Sequence, residues 1–316
     1  MLEENNSQVS RRNLLKTTVA FGSTLAAIPS VSFAAKRKSN FSYCLNTSTI
    51  SKQNLGLMAE IELAAKAGFD GIEIWMKTLE AFVKSGGKLS DVKQKAKDLG
   101  IVIEDAIGFA KWIVDDATER NSALEQLKRE MDMLAQIGCK RIAAPPFGAT
   151  LLPKIDLKLA AKRFYEVCEL GKKWNVQPQL ELWGFSENLH LFGETLLVAS
   201  ESGVPNACIL ADVYHLYKGG SQNEVLNFID GHHLQIFHMN DYPLGIDRKK
   251  ITDGKRIMPG DGVAPITDIL RDLNKKNTPI VLSLELFNEE YWKMDAQEVA
   301  NIGLSKMKKC VSLALN

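Results

Sequence analysis

The stretch AAKAGFDGIEIW, residues 64–75, contains the transition on which the fold prediction rests. Its first half has the small and apolar residues of a helix end, and Gly68 stands where a helix C-cap is expected. Its second half, GIEIW, is a short apolar run bounded by glycine, which is typical of a buried strand. The stretch therefore predicts a helix that ends in glycine and leads directly into a strand.

The same pattern recurs along the chain. Between the apolar runs, helical stripes of apolar residues appear at a spacing of three and four, and Gly100, Gly138 and Gly203 stand before later strands. Starts of neighbouring strands lie about 27 to 46 residues apart, which leaves room for a helix between them. The predicted strands are 41–46, 71–75, 101–107, 141–147, 177–183, 207–213, 234–240 and 280–286.

Continuous apolar strands imply burial on both faces, and hence a parallel sheet. Eight strand–helix units over residues 35–316 predict an α/β fold, a single (β/α)8 TIM barrel. A doubly wound open sheet also alternates strands and helices. However, no Gly-x-Gly-x-x-Gly follows the first strand, so a dinucleotide-binding sheet has no support.

The N-terminal segment, residues 1–34, has the pattern of a twin-arginine export signal. Arg11 and Arg12 precede a modest apolar run, and Ser32 and Ala34 supply the small residues that a signal peptidase recognises. The pattern predicts an exported, periplasmic or extracytoplasmic protein. The apolar run is too short to span a membrane, and a retained N-terminal anchor stays open as an alternative.

Charge and cysteine content exclude several classes of protein. With 39 basic and 38 acidic residues the net charge is +1, so no strong electrostatic attraction to nucleic acid or acidic membranes is expected. A homo-oligomer is left open. The five cysteines are scattered through apolar segments, which predicts small core residues rather than disulfides or a zinc cluster.

Four successive predicted strands carry a metal-competent side chain near their carboxyl ends: Glu181, Asp212, His238 and Glu285. In a barrel these ends converge on one site. Taken singly, each acid could be a structural hydrogen-bonding partner, but a set in register would repel unless a cation lay between its members. The pattern predicts one divalent metal ion, Mn²⁺ in preference to Mg²⁺, Co²⁺ or Zn²⁺.

An ordered set of motifs resembles the xylose-isomerase-like TIM barrels over the whole of residues 35–316. The motifs are QLELWGFSE (179–187), ILADVYHLY (209–217), FHMNDYP (237–243), PGDG (259–262) and LSLELF (282–287). The superfamily includes sugar isomerases, ketose 3-epimerases and apurinic endonucleases. The resemblance implies that the four residues named above are the metal ligands, and that Glu181 and Glu285 are also the catalytic acid/base pair.

Similarity to the ketose 3-epimerases further implies substrate-binding roles for Glu187 and His215, although both could instead orient the ligands. Those enzymes place a substrate arginine shortly after the seventh-strand histidine. The loop differs here, and its first arginine is Arg248. Trp183 leaves the strand beside Glu181 and is expected to stack on a sugar ring.

The expected reaction is abstraction of a proton next to a carbonyl, giving an enediolate-like intermediate. The preferred activity is a metal-dependent isomerase or epimerase of an unphosphorylated sugar or sugar derivative. The alternative is a lyase that cleaves 3-keto-glycosides by elimination. A non-catalytic sugar-binding protein is less favoured. An apurinic endonuclease is disfavoured because all five histidines stand at or after His190, too late for a three-zinc cluster.

Overall fold

Eight parallel strands form the centre of the computed structural model, which describes residues 39–316. The predicted export signal, residues 1–34, lies outside the described residues. The strands are β1 Phe41–Asn46, β2 Gly71–Trp75, β3 Val102–Ile107, β4 Arg141–Ala144, β5 Gln177–Glu181, β6 Cys208–Asp212, β7 Ile236–Met239 and β8 Ile280–Leu284.

The strands form a nearly closed barrel in the order β3-β2-β1-β8-β7-β6-β5-β4. No backbone ladder joins β3 to β4 within the described residues. Arg141 bridges this seam, because its Nη1 donates to the backbone carbonyl of Glu104 at 3.2 Å and to the carboxylate of Glu104 at 2.9 Å. The prediction of a TIM barrel is confirmed.

Helices surround the barrel and cover it with the apolar stripes expected from the sequence. The helices are α1 Leu57–Ala67, α2 Met76–Lys84, α3 Leu89–Leu99, α4 Ala117–Ile137, α5 Leu157–Trp174, α6 Phe192–Glu201, α7 Val213–Gly219, α8 Ile266–Lys275, α9 Glu289–Trp292 and α10 Ala296–Leu315. Three short 3₁₀ helices, Thr47–Gln53, Asn223–Phe228 and Asp253–Lys255, lie in connecting segments.

The predicted transition from helix to strand at residues 64–75 forms as expected. Gly68 ends α1 with a φ of 89°, and its N–H donates back to the carbonyls of Ala64 and Ala65. This left-handed conformation is strained for residues with a Cβ, which explains the glycine. Gly100 and Gly138 end α3 and α4 in the same way.

The strands β4 to β8 all end earlier than predicted, and for two of them the reason can be identified. β4 stops at Ala144 because Pro145 and Pro146 have no N–H to donate to a ladder. β6 stops at Asp212 because the Asp212 carboxylate accepts the N–H of His215 at 2.7 Å and caps α7. The chain therefore turns into a helix at the residue that was predicted to bind metal.

All five cysteines are free and buried, which confirms their assignment to the core. Among the residues from 39 onward, no helix combines the length and apolarity needed to cross a membrane.

Candidate active site and metal centre

A cavity of about 220 Å³ opens at the carboxyl ends of the strands. Its floor is polar and its walls are largely aromatic. The polar lining residues are Glu181, His215, Asp253, Arg256 and Glu285. The apolar and aromatic lining residues are Trp75, Ile107, Phe109, Trp183, Phe185 and Phe287.

The structure brings three of the four residues predicted as ligands within reach of one ion, and the fourth, Glu181, lines the adjoining cavity. Asp212, His238 and Glu285 are buried, and each offers a ligand atom within 4.8 Å of the others. The parallel register sets Asp212 of β6 beside His238 of β7. His238 Nδ1 lies 3.1 Å from Glu285 Oε2 and 3.9 Å from Asp212 Oδ2. Glu181 is also buried and lines the same cavity.

Glu73 of β2 fixes the orientation of the His238 ring. Its Oε1 lies 3.0 Å from His238 Nε2, and both side chains are completely buried. Because the carboxylate can only accept, His238 carries a proton on Nε2. The Nδ1 atom then faces Asp212 and Glu285 and is the ring nitrogen available to a metal ion.

Two further side chains hold Glu73 in place. Asn46, at the end of β1, donates to Glu73 Oε2 at 2.7 Å and to Glu285 Oε1 at 3.2 Å. Ser283 of β8 donates to Glu73 Oε2 at 2.6 Å. The position of His238 is therefore fixed by contacts that reach across the barrel from β1, β2 and β8.

Buried polar atoms without partners indicate that these residues fit a metal ion. Within the described part of the chain Glu181 Oε2 makes no hydrogen bond, and His238 Nδ1, although 3.1 Å from Glu285 Oε2, is not in hydrogen-bond geometry with it. An unpaired buried polar atom is costly, so such an atom in a cavity calls for a ligand. Carboxylate oxygens with one imidazole nitrogen form a set that suits Mn²⁺, Mg²⁺, Co²⁺ or Zn²⁺.

Arg256 is a charged group of the site that the sequence analysis missed. Its guanidinium is buried, and Nη1 donates to Asp212 Oδ2 at 3.1 Å and to Glu285 Oε2 at 2.7 Å. Nη2 donates to Asp253. The guanidinium also lies over the rings of Tyr214 and Phe287. Arg256 thus links the acids of β6 and β8 to the cavity wall.

The loop that carries Arg256 is folded around Asp241. This buried carboxylate accepts backbone N–H groups of Gly260, Gly262 and Ala264 at 2.9–3.0 Å. Asp241 and Ile257 also exchange two backbone hydrogen bonds of 2.9 Å. Arg256 is therefore aimed into the cavity by a rigid connection to the end of β7.

His215 lies between Arg256 and the β5 loop. The N–H of Gly184 points at His215 Nδ1 at 3.2 Å, and Arg256 Nη2 lies 3.0 Å from His215 Nε2. A neutral imidazole has one acceptor nitrogen, so it accepts from one of these two donors at a time. Burial, and then the charge of Arg256, lower the pKa of His215 well below its usual value and keep the ring neutral.

The acids of the floor differ in protonation behaviour. Burial and the neighbouring Glu285 raise the pKa of Glu181 to about 8. Burial also acts to raise the pKa of Glu285, but His238 and Arg256 outweigh it and lower that pKa. For His238, burial favours the neutral ring, yet Glu285 and Glu73 raise its pKa well above the usual value. Positive charge at Nδ1, from a proton or from a metal, is therefore stabilised.

The remaining predicted substrate residues are placed differently. Trp183 lines the cavity beside Glu181. Glu187 is exposed and is not among the lining residues, and its backbone N–H donates to the carbonyl of Thr150. Arg248 is also outside the lining, because its guanidinium donates to the carbonyls of Lys218 and Gly219 at the end of α7.

Two missed residues had signals in the sequence. Glu73 is the single charge in the apolar strand GIEIW, where an unpaired carboxylate would be costly. Arg256 stands three residues before Pro259, the first residue of the turn PGDG that follows β7. Each signal shows that the residue needs a partner, but neither shows which partner it meets.

Curated relatives of the chain are named as enzymes. It is 25% identical to an inosose isomerase of Bacillus velezensis over 85% of this chain and 96% of the relative. It is 25% identical to a fructoselysine 3-epimerase of Escherichia coli O157:H7, over 71% and 83%. It is 22% identical to a 3-dehydroshikimate dehydratase of Pseudomonas putida, over 79% of this chain and 39% of that protein. These relatives confirm the prediction of an enzyme.

A crystal structure of the IOLI protein with a bound zinc atom superimposes with a TM-score of 0.78. The identity is 24%, and the match covers 86% of this chain and 98% of that one. It supports the fold found here. The family model described as "Xylose isomerase-like TIM barrel" matches residues 61–310. The chain belongs to the xylose isomerase-like TIM barrel family.

Proposed function

We propose that this protein is a divalent-metal-dependent isomerase or epimerase of an unphosphorylated sugar or sugar derivative, acting by proton abstraction next to a carbonyl. One observation carries the proposal. Two carboxyl groups, Glu181 and Glu285, line one cavity beside the Asp212–His238–Glu285 cluster. A reaction that moves a proton at carbon requires such a pair of acid/base groups near a cation.

The proposed ligands are Glu181, Asp212, His238 and Glu285, with Mn²⁺ as the preferred ion. When bound, the ion would polarise the substrate carbonyl and stabilise the negative charge left by proton removal. The zinc atom in the solved relative supports a metal in this family without deciding which metal this chain uses.

Glu181 and Glu285 are proposed to remove and return the proton. Their environments shift their pKa values in opposite directions, since burial and Glu285 raise that of Glu181, whereas His238 and Arg256 outweigh burial and lower that of Glu285. Two carboxyl groups in such unequal environments suit acid/base catalysis. Return of a proton to the opposite face of the same carbon gives an epimer, and return to the neighbouring carbon gives an isomer. The inosose isomerase and fructoselysine 3-epimerase relatives support this chemistry.

Substrate contacts are assigned to His215 and Trp183, which line the cavity. The His215 ring would contact a substrate oxygen, and Trp183 would stack on the sugar ring. We propose that the substrate-binding arginine is Arg256 and not Arg248, because Arg256 lines the cavity. The role of Glu187 stays a prediction.

The charges of the lining favour an unphosphorylated substrate. Among the described residues around the cavity, Arg256 is the one permanent cation, and Asp212, Glu285 and Asp253 already engage it. A phosphate would need further donors or cations. We also propose export through the N-terminal segment, because of its twin-arginine pattern. Export would favour the same kind of substrate, since sugar phosphates are scarce outside the cytoplasm. Whether the protein is a homo-oligomer stays open.

Elimination is the second candidate. The dehydratase relatives support it, because loss of a β-substituent begins with the same proton abstraction. A lyase acting on 3-keto-glycosides would use the same acids and the same metal. The two activities differ only in the fate of the charge that proton removal creates.

The test is hydrogen exchange in D₂O. The purified protein, loaded with Mn²⁺, is incubated with ketoses, aldoses and 3-keto-glycosides, and NMR follows loss of the C–H signal next to the carbonyl. Glu181→Gln should abolish exchange even at a Mn²⁺ concentration high enough to compensate for the weakened ligand, at which metal analysis still finds the site occupied. Glu201→Gln, at an exposed acid at the end of α6, is the matched control and should exchange normally. Bound metal without exchange on any of these substrates would refute the proposal.

A further inference from the structure

A second cavity of about 480 Å³ adjoins the proposed catalytic cavity. Trp183 lines both cavities. Phe147 of the second cavity packs edge-on against Phe109 of the first, with ring centroids 5.4 Å apart. The two spaces therefore adjoin, with aromatic side chains between them.

The second cavity is walled by an apolar loop, residues 147–155, that contains Leu151 and Leu152. These side chains are 76% and 69% exposed. Adjacent exposed leucines beside a cavity are unusual on a protein surface and indicate a binding surface. Pro153 and Ile155 continue the apolar lining.

The loop is held in shape by Asn188, a buried residue of the segment that follows β5. Its Nδ2 donates to the carbonyl of Ala149 at 2.8 Å, and its Oδ1 accepts the N–H of Ile155 at 2.8 Å. The carbonyls of Leu151 and Pro153 also lie within 3.5 Å of Nδ2. The leucines are thus presented by a fixed scaffold that connects directly to the strand of Glu181.

Size and charge distinguish the two cavities. The first, at about 220 Å³, is smaller than the roughly 300–1,000 Å³ of typical ligand pockets. The second is larger and mainly apolar. Its one charged lining residue, Asp115, pairs with Arg163 at 2.9 Å. A polar ring fits the first cavity, and an uncharged apolar group fits the second.

We propose that the second cavity binds an apolar aglycone, so that the substrate is a sugar carrying a bulky aromatic or aliphatic substituent rather than a free monosaccharide. The sugar lies on the floor formed by Glu181, His215 and Glu285, and its substituent crosses Trp183 to reach Leu151 and Leu152. This inference rests on the proposed function, since it places the reacting sugar in the first cavity, next to Glu181.

The test compares phenyl and methyl glycosides of glucose, galactose and xylose by isothermal titration calorimetry on the full-length, Mn²⁺-loaded protein. For the sugar that fits, the phenyl glycoside should bind about tenfold more tightly than the methyl glycoside, because the ring buries apolar area. The double variant Leu151→Ser/Leu152→Ser should bring the phenyl-to-methyl ratio close to one. Leu244→Ser, at a leucine that is 82% exposed and outside both linings, should preserve the ratio.

Equal affinity of both glycosides, or binding of neither, would overturn the proposal. So would a double variant that keeps the ratio but turns a dimer into a monomer in sedimentation, because the leucines would then be a contact between copies. Binding is measured without turnover. A phenyl preference without hydrogen exchange would therefore refute only the proposed reaction, and exchange without the preference would refute only the aglycone site.

Discussion

The two halves of the barrel divide the work of the candidate site. Strands β5 to β8 bring Glu181, Asp212, His238 and Glu285 to one end. Strands β1 to β4 contribute no residue to the Asp212–His238–Glu285 cluster, but Glu73 of β2 holds the ring of its histidine. The half formed by β5 to β8, here the ligand half, therefore carries the four predicted ligands. The half formed by β1 to β4, the supporting half, holds the ring of His238 in place.

This difference teaches that burial alone does not identify the role of an acid. Glu73 and Glu285 are both buried and both contact His238, at Nε2 and Nδ1 respectively. Their roles follow from the neighbours: Glu73 is enclosed by Asn46 and Ser283, whereas Glu285 faces the cavity. Substitutions in the two halves should therefore differ in size and in kind.

The largest effect is expected in the ligand half, from Asp212→Asn. The asparagine can still accept the N–H of His215 and cap α7, so the fold should persist. Loss of the charge should weaken Mn²⁺ binding more than about 100-fold, beyond the range expected for residues that only orient ligands. Titration of Mn²⁺ by electron paramagnetic resonance, with thermal unfolding to verify the fold, measures this. Unchanged affinity would remove Asp212 from the ligand set.

A smaller effect is expected in the supporting half, from Glu73→Gln. The amide can still accept from His238 Nε2, but the negative charge that strengthens the ligand is gone. Metal affinity should fall about 10- to 100-fold, and the visible spectrum of bound Co²⁺ should change.

Ser283→Ala is the matched control for Glu73→Gln. It removes one donor to Glu73 and keeps the charge. It should therefore weaken metal binding less than Glu73→Gln does. If both variants bind metal as tightly as the wild type does, the charge of Glu73 has no role in metal binding.

The sequence made the ligand half easier to predict than the supporting half. Glu181 and Asp212 close apolar strands, and barrel geometry then says that such ends converge. Glu73 lies inside the first stretch quoted, yet its partner His238 is 165 residues away. Nothing in a local pattern fixes that pairing, because it depends on which strands meet across the barrel.

The arginine shows a second kind of miss. The sequence does not show which side chain of a long loop returns to the site, so it favours the first arginine after His238, which is Arg248. The structure shows Arg256 in the cavity, because Asp241 folds residues 256–264 back onto the end of β7. The apolar loop beside Trp183 could not be predicted either, since its shape depends on the tertiary contacts of Asn188.

The smallest effect is expected from a buried acid that serves no site, Glu130 of α4. Its Oε1 accepts from Gln126 at 2.8 Å, and its Oε2 has no partner among the described residues. Burial raises its pKa from 4.5 to about 7. The folded state therefore binds the proton more tightly than the unfolded chain, and this acid lowers stability progressively as pH rises through that interval.

Glu130→Gln should remove that penalty without affecting metal binding. At pH 8 the free energy of unfolding should rise by roughly 1–2 kcal/mol, less than the full shift implies because some water reaches the group. At pH 4, where both states carry the proton, the variant should match the wild type. Denaturant unfolding at the two pH values measures this. An equal gain in the free energy of unfolding at both pH values would point to packing rather than ionisation. Of Glu73 and Glu130, Glu73 alone would then have an effect that depends on its charge.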